Sequence, residues 1–165
     1  MAELMLRLSF SAGLSREGVP SKARLCDFIS AALARRRGRY FLDLRFVDER
    51  EAIELNRRFR DRDYPPNVLA FPSGLKFPEG RHLGDIALCL PIARREAKEQ
   101  EKPLLHHLAH LLLHATLHLL GHDHEEPAEA AKMEALERRL LARLGIPDPY
   151  APPEERLSLA SSNSR

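Results

Sequence analysis

The chain has 165 residues, a length that fits one domain with an ordinary core. Its hydrophobic (44%) and charged (30%) fractions are typical of a globular protein, and no apolar run reaches the roughly 18–20 residues that cross a bilayer. The net charge is only +2, although 21 of the 26 basic residues are arginine, so polyanion binding is allowed but not required. Cys26 and Cys89 stand in no paired motif, which argues against a disulfide. With no secretion signal at the N-terminus, we expect a cytoplasmic protein.

Alternating and helical spacings of apolar residues predict the secondary structure along the chain. In the first half we predict a strand over residues 4–10, a helix over 25–33 that Gly38 ends, a strand over 42–46, and a helix that a capping box of Asp48 and Glu51 opens and that ends near Arg60. In the second half we predict short strands over 68–71 and 84–90, and helices over 91–100, 103–121 and 127–144.

This order of elements predicts an α+β fold in which a mixed four-stranded sheet is packed with about five helices. The helix over 103–121 carries leucines on nearly all sides, which is typical of a central, buried helix. The segment 72–81 is rich in proline and glycine and is expected to be an exposed loop. We expect one domain over residues 1–149 and a disordered tail over 150–165.

Seven of the eight histidines fall between His106 and His124, and they suggest a metal site. His114 and His118 are four residues apart, so they share one face of the leucine- and histidine-rich helix. Gly121 permits the turn that ends this helix, and His124 can then point back at the same place. Three imidazoles that leave an open position are typical of a catalytic zinc site. Nitrogen ligands favour Zn²⁺ over nickel, copper or iron.

Other ligand sets have to be weighed, because successive histidines at a spacing of four drift by about 40° around a helix. At this spacing His106, His110 and His114 form the start of a ladder of histidines, and they lack a turn that brings a third ligand inward. His122, the last histidine of the ladder, follows Gly121 too closely to replace His124 as a ligand. Asp123 is expected to cap the helix or to hold a ligand histidine in place. The ladder consists of His106, His110, His114, His118 and His122.

The spacing H-x-x-x-H-x-x-G-x-x-H is also that of the metzincin proteases, which have a glutamate after the first histidine as the general base. Ala115 occupies that position here, and alanine cannot accept a proton. A metalloprotease-like hydrolase is therefore disfavoured.

The segment from His114 to His124 resembles the signature H-G-x-L-H-L-x-G-Y-D-H of the YbeY family of bacterial ribosomal-RNA maturation factors. The segment from Leu55 to Pro72 is similar to the family's L-N-x-x-F-R and P-T-N-V-L-S-F-P blocks, residues 83–86 to its L-G-D-I strand, and Met133 with Glu137 to its M-x-x-x-E pattern. The resemblance runs from about Leu55 to Gly145. The departures are Ala115, Pro66, Ala70 and His122, which replace a usual glycine, threonine, serine and tyrosine.

The resemblance implies one divalent metal ion held by His114, His118 and His124, with Arg60 beside it. It implies a single-strand-specific endoribonuclease that matures small-subunit (16S) ribosomal RNA and acts in ribosome quality control. Single-stranded RNA and the small ribosomal subunit or its proteins would be the partners. On this interpretation Arg60 binds the scissile phosphate and stabilises its charge.

Three further residues are candidates for supporting roles. His122 or Asp123 could shuttle a proton, and Asp85 could orient a ligand imidazole or belong to a turn at a strand end. Arginine clusters at 35–39 and 57–62 could attract RNA. A rival hypothesis is a ribosome-assembly or RNA-binding factor in which zinc only braces the fold, and a hydrolase that acts on another substrate is a third possibility.

Overall fold

The structure is a computed structural model that describes residues 1–122 and 126–155. The predicted ligand His124, its neighbour Asp123 and residues 156–165 of the predicted tail lie outside the described residues. No helix in these two ranges has the length and apolarity that a membrane crossing requires.

Strands and helices follow one another in the predicted order, which confirms the α+β fold. A short 3₁₀ turn, Ala31–Leu33, follows the first helix. The described elements are β1 (Ala2–Phe10), α1 (Lys22–Ser30), β2 (Gly38–Val47), α2 (Glu49–Arg60), β3 (Val68–Pro72), β4 (Lys76–Phe77), β5 (Gly80–Cys89), α3 (Leu90–Glu99), α4 (Leu104–Leu119) and α5 (Pro127–Arg143).

The sheet is mixed, with the strand order β1-β2-β5-β3. Strands β1, β2 and β5 run parallel, whereas β3 and β4 each pair with β5 in the antiparallel direction. The described sheet therefore has five strands and not the predicted four. The fifth, β4, has only two residues and lies in the segment 72–81 that we expected to be a loop. Two residues are too few to show an alternating pattern.

The first helix ends earlier than its sequence suggests. We expected Gly38 to stop it, but α1 ends at Ser30 and tightens into the 3₁₀ turn. The amide of Arg36 then donates to the Leu33 carbonyl (2.9 Å), and Gly38 begins β2. A tightened last turn satisfies the free carbonyls at a helix end without a glycine.

Helix α4 is the central helix, as its all-round apolarity predicted. Its leucines at 108, 112 and 113 have no solvent exposure, and the helix contacts β3, β5, α1, α3 and α5. Burying a leucine side chain is worth about 2 kcal/mol. The histidines of α4 are therefore mounted on the most firmly packed element of the fold.

Helix α2 begins at half of the predicted capping box. The Asp48 carboxylate accepts from the Glu51 amide (2.8 Å), but the Glu51 carboxylate does not return to Asp48. It binds the Arg45 guanidinium (2.6 and 3.0 Å) and accepts from the Ser11 hydroxyl (3.0 Å), and Arg45 holds the pKa of Glu51 below its usual value. These bonds attach the start of α2 to β2, and the helix then runs to Arg60.

Gly84 of β5 lies against the backbone of β3, and we expect Gly84→Ala to lower the free energy of unfolding by about 2 kcal/mol. Its φ is +146°, and a methyl group would lie 2.2 Å from the backbone oxygen of Phe71. Urea unfolding measures the effect, with Gly74→Ala as a matched control. Gly74 also has a positive φ (+63°), but no atom lies within 4 Å of the added carbon. Equal losses in the two variants would contradict the steric explanation.

Candidate metal centre

A cleft of about 390 Å³ opens between α4 and the edge strand β3. Histidines from α4 form one wall, and Arg60 at the end of α2 lies on the other side with residues of β3. The residues that line the cleft are Arg60, Asn67, Val68, Leu69, Ala70, His110, Leu111, His114, Ala115, His118 and Tyr150.

The structure brings His114 and His118 together in this cleft. Their ring centroids are 5.3 Å apart and their planes are inclined by 73°, as expected for two residues one helical turn apart. The ring centroid of His110 lies 6.2 Å from that of His114 on the other side. The fixed backbone of α4 thus holds a row of three imidazoles at one opening.

Glu137 of α5 lies behind these histidines with no solvent exposure. One of its carboxylate oxygens bonds Nδ1 of His114; the other bonds Nε2 of His110 (3.1 Å) and the hydroxyl of Tyr150. Burial opposes ionisation of Glu137, but the hydrogen bonds from His110, His114 and Tyr150 outweigh it and hold its pKa well below the usual range. The buried carboxylate is therefore negatively charged at neutral pH.

The charge on Glu137 determines the tautomer of His114. An ionised carboxylate only accepts hydrogen bonds, so the proton of His114 resides on Nδ1. The other ring nitrogen, Nε2, then carries the lone pair that a metal ion requires. A carboxylate behind a histidine is the usual way in which proteins orient a metal ligand.

The same residues also offer a second set of donors. His110, His114 and Glu137 each present one ligand atom within 4.8 Å of the others, so this group could bind a metal ion. It shares His114 with the set predicted from the sequence. The predicted ligand set and this group therefore both depend on His114.

Sequence reasoning missed the role of Glu137, although a signal existed. The residue had been noted only as part of the M-x-x-x-E pattern. It lies four residues after Met133 and three before Leu140, and both are buried on the inner face of α5. A charged residue on such a face requires a partner. The partner could not be identified from the local pattern, because it belongs to another helix.

Tyr150 also belongs to this site, although we expected the disordered tail to begin there. Its hydroxyl donates to Glu137, and its ring meets that of His110 edge-on with centroids 5.3 Å apart. Burial and the hydrogen bond to Glu137 raise the pKa of the phenol. Because of these contacts, Tyr150 packs against the domain, and the described part of the chain continues to Glu155.

Arg60 lies where the sequence suggested, beside the cleft that the histidines line. Its guanidinium donates to the Ala70 carbonyl (2.9 Å) and sits 5.2 Å from the centroid of the Phe71 ring. The side chain is exposed and can contact a ligand without a rearrangement of the core.

Two of the predicted supporting residues, His122 and Asp85, do not line this cleft, and the third, Asp123, lies outside the described residues. His122 is exposed and lines a separate groove with Arg35, Arg36 and Arg139. Asp85 lies in the middle of β5, so the prediction that it belongs to a turn at a strand end is wrong. The imidazole beside it is that of His82, which the metal motif does not include.

We expect Glu137→Gln to weaken the affinity for a divalent metal by about 10–100-fold. The amide can accept the proton of His114, but its NH₂ group cannot accept from His110 or Tyr150. Zinc affinity is measured by competition with a chromogenic chelator. Glu134→Gln is the matched control, because this glutamate of the same helix pairs with Arg138 at the surface (3.8 Å) and does not line the cleft. Equal affinities in the two variants would mean that Glu137 does not support the metal site.

Comparison with known proteins agrees with this geometry. The family model described as endoribonuclease YbeY matches residues 21–145. The chain belongs to this family. The match spans the sheet from β2 onward, the histidine helix and α5, so every described residue of the cleft except Tyr150 lies within it.

Relatives that carry the family's name match most of the chain. The endoribonuclease YbeY of Stutzerimonas stutzeri (strain A1501) is 51% identical over 139 residues, which are 83% of this chain and 87% of the relative. That of Xanthomonas axonopodis pv. citri (strain 306) is 48% identical over 153 residues, 88% of this chain and 94% of the relative. The solution structure of TM1509 from Thermotoga maritima is similar over 85% of this chain and 91% of its own, with a TM-score of 0.50 and 25% identity.

Proposed function

We propose that this protein is a single-strand-specific, metal-dependent endoribonuclease, a hydrolase of phosphodiester bonds. One observation carries the proposal: His114 and His118 share a cleft with Arg60, and a buried, ionised Glu137 orients His114 from behind. Membership of the endoribonuclease YbeY family supports the RNA substrate. The open cleft favours catalysis over a zinc ion that only braces the fold, because a bracing site is usually closed.

We propose further that the ion is Zn²⁺ and that His114, His118 and His124 hold it. Three nitrogen donors suit zinc better than the harder ions, which prefer oxygen. The alternative position, among His110, His114 and Glu137, would require Glu137 to give up hydrogen bonds that it already makes to both imidazoles. The carboxylate is better suited to orient a ligand than to become one.

Glu137 and Arg60 have separate roles in the proposed catalysis. When bound, the metal ion would act as a Lewis acid and would supply an activated water molecule. Glu137 keeps the proton of His114 on Nδ1 and so presents Nε2 to the cleft. Arg60 binds the scissile phosphate from the opposite wall and stabilises the charge that develops on it. Because Arg60 is already positioned by Ala70 and Phe71, it loses little freedom when it binds.

The biological task that we propose is maturation of small-subunit (16S) ribosomal RNA and ribosome quality control in the cytoplasm. The small ribosomal subunit or its proteins would deliver the substrate. A single-stranded substrate suits the cleft, because the flexible backbone of an unpaired strand can bend to bring one phosphate between the α4 histidines and Arg60.

Cleavage of a labelled single-stranded RNA by the purified protein tests the proposal, beside a duplex of the same sequence. We expect cleavage of the single strand alone, its loss after chelation, and its recovery when zinc is added back. Recovery separates the activity of the protein from that of a contaminating nuclease that needs no zinc. A zinc-loaded protein that binds the RNA without cutting it would instead support the assembly-factor hypothesis.

A further inference from the structure

Two aromatic rings, one exposed and one partly buried, form a ledge beside the metal cleft. Phe59 is the last residue but one of α2 and is 53% exposed. Its ring meets that of Phe71 on β3 edge to face, with centroids 5.2 Å apart. The fold itself gains little from a phenylalanine that remains half in water, so this ring offers apolar area to a ligand.

An arginine accompanies each ring of the ledge. The guanidinium of Arg58 lies 5.6 Å from the centroid of Phe59, and that of Arg60 lies 5.2 Å from the centroid of Phe71. Aromatic rings that stack bases, next to cations that bind phosphates, are the combination by which proteins hold single-stranded nucleic acids. The ledge therefore offers both contacts that one nucleotide makes.

Behind the ledge is a groove of about 610 Å³ on the face of the sheet that α2 flanks. Leu55, Phe59, Phe71 and Ala87 give it apolar walls, and its charged residues are Asp43, Asp85 and the ion pair of Arg45 with Glu51. Burial and the nearby carboxylate of Asp43 raise the pKa of Asp85. An acidic group repels a phosphate but accepts hydrogen bonds from the amino edge of a base. The acidic residues thus favour an uncharged base inside the groove, and Arg58 and Arg60 favour the phosphates outside it.

The groove and the metal cleft meet at β3. Residues 68–70 line the cleft, and the next residue, Phe71, lines the groove. Arg60 belongs to the cleft and contacts the ring of Phe71. The groove lies on the opposite face of the sheet from the cleft, so an RNA strand whose phosphate is bound by Arg60 reaches the ledge by passing the edge of β3.

We propose that this groove binds a nucleobase of the single-stranded RNA next to the scissile phosphate, stacked on Phe59. The proposal rests on the proposed function for its substrate, and it adds a subsite that grips the unpaired base. A paired base is already stacked within its duplex and cannot enter the groove. The subsite would thus contribute to the preference for single strands.

The chain contains no tryptophan, so Phe59→Trp introduces a single fluorescent indole at the ledge. Titration with a ten-nucleotide single-stranded RNA should quench its emission by at least about half, because a stacked base quenches indole. An abasic oligonucleotide of the same length and charge should quench it far less. Equal quenching by both, or none by either, would overturn the proposal. Because this measurement detects binding and not cleavage, its result is independent of whether the protein cuts RNA.

Affinity provides the second measurement. Phe59→Ala should weaken binding of the same RNA about tenfold, which is within the range measured for one stacked base, and Phe59→Tyr should restore it. Phe77→Ala is the matched control, since Phe77 is 51% exposed but lines a different groove. Melting temperatures exclude unfolding as the cause. Unchanged affinity in Phe59→Ala, in a protein that still cleaves RNA, would overturn the subsite and leave the proposed function intact.

Discussion

The His114→Ala protein is expected to lose its bound metal and to cleave single-stranded RNA about a thousandfold more slowly than the unaltered chain. A catalytic metal supplies several kcal/mol of transition-state stabilisation, and each 1.4 kcal/mol is a factor of ten in rate. His114 belongs both to the predicted ligand set and to the group of His110, His114 and Glu137, so its loss removes a ligand from either position in the cleft. Metal content by mass spectrometry and cleavage of a labelled RNA are measured on the same preparation.

His106→Ala is the matched control for this experiment. His106 belongs to the same ladder of histidines on α4 but does not line the cleft. We expect this variant to retain its metal and its activity. Loss of metal in His106→Ala would instead support the set of His106, His110 and His114. Residual cleavage that is equal in His114→Ala and the unaltered chain would mean that the cleavage does not come from this site.

The Arg60→Ala protein is expected to retain its metal and its melting temperature but to cleave RNA about 10²–10³-fold more slowly. This is the range observed when one donor to a developing negative charge is removed. The side chain is exposed and bonds only a backbone carbonyl and an aromatic ring among the described residues, so the fold does not depend on it. The rate is measured at saturating RNA, because the effect should fall on kcat.

Two further variants refine the test of Arg60. Arg60→Lys keeps the charge but loses the planar fork that holds a phosphate by two bonds, so we expect it to recover only part of the rate. Arg62→Ala removes a neighbouring arginine that donates to the Tyr64 hydroxyl (2.8 Å). It should lower the rate much less than Arg60→Ala. Equal losses in the two alanine variants would indicate general attraction of RNA, without a specific contact of Arg60 to the scissile phosphate.

The parts of the fold that depend on local spacing were predictable. Alternation along residues 4–10 and 42–46 located β1 and β2, and the all-round leucines located α4. The approach of His114 to His118 follows from helical geometry alone. In each case the interaction that forms the element joins residues close in sequence, so local spacing is enough to predict the element.

Other parts depend on contacts between distant segments, and these were missed. The bond between His114 and Glu137 joins residues 23 positions apart, and Tyr150 reaches the site from beyond α5. Asp85 lies on the face of the sheet opposite the metal cleft, and this placement follows from the register of β5 against β2 and β3. Spacing within one element cannot indicate which face of a sheet a residue will occupy.

The contact of Tyr150 with Glu137 has a practical consequence for anyone who handles this protein. A shortened version that stops at residue 149 would follow the domain boundary that the sequence suggests, yet it would remove the phenol that donates to the buried carboxylate. Such a truncation would change the histidine orientation that the activity requires. Truncations should therefore keep Tyr150, and a low zinc content in a preparation that stops at residue 149 would reflect the cut.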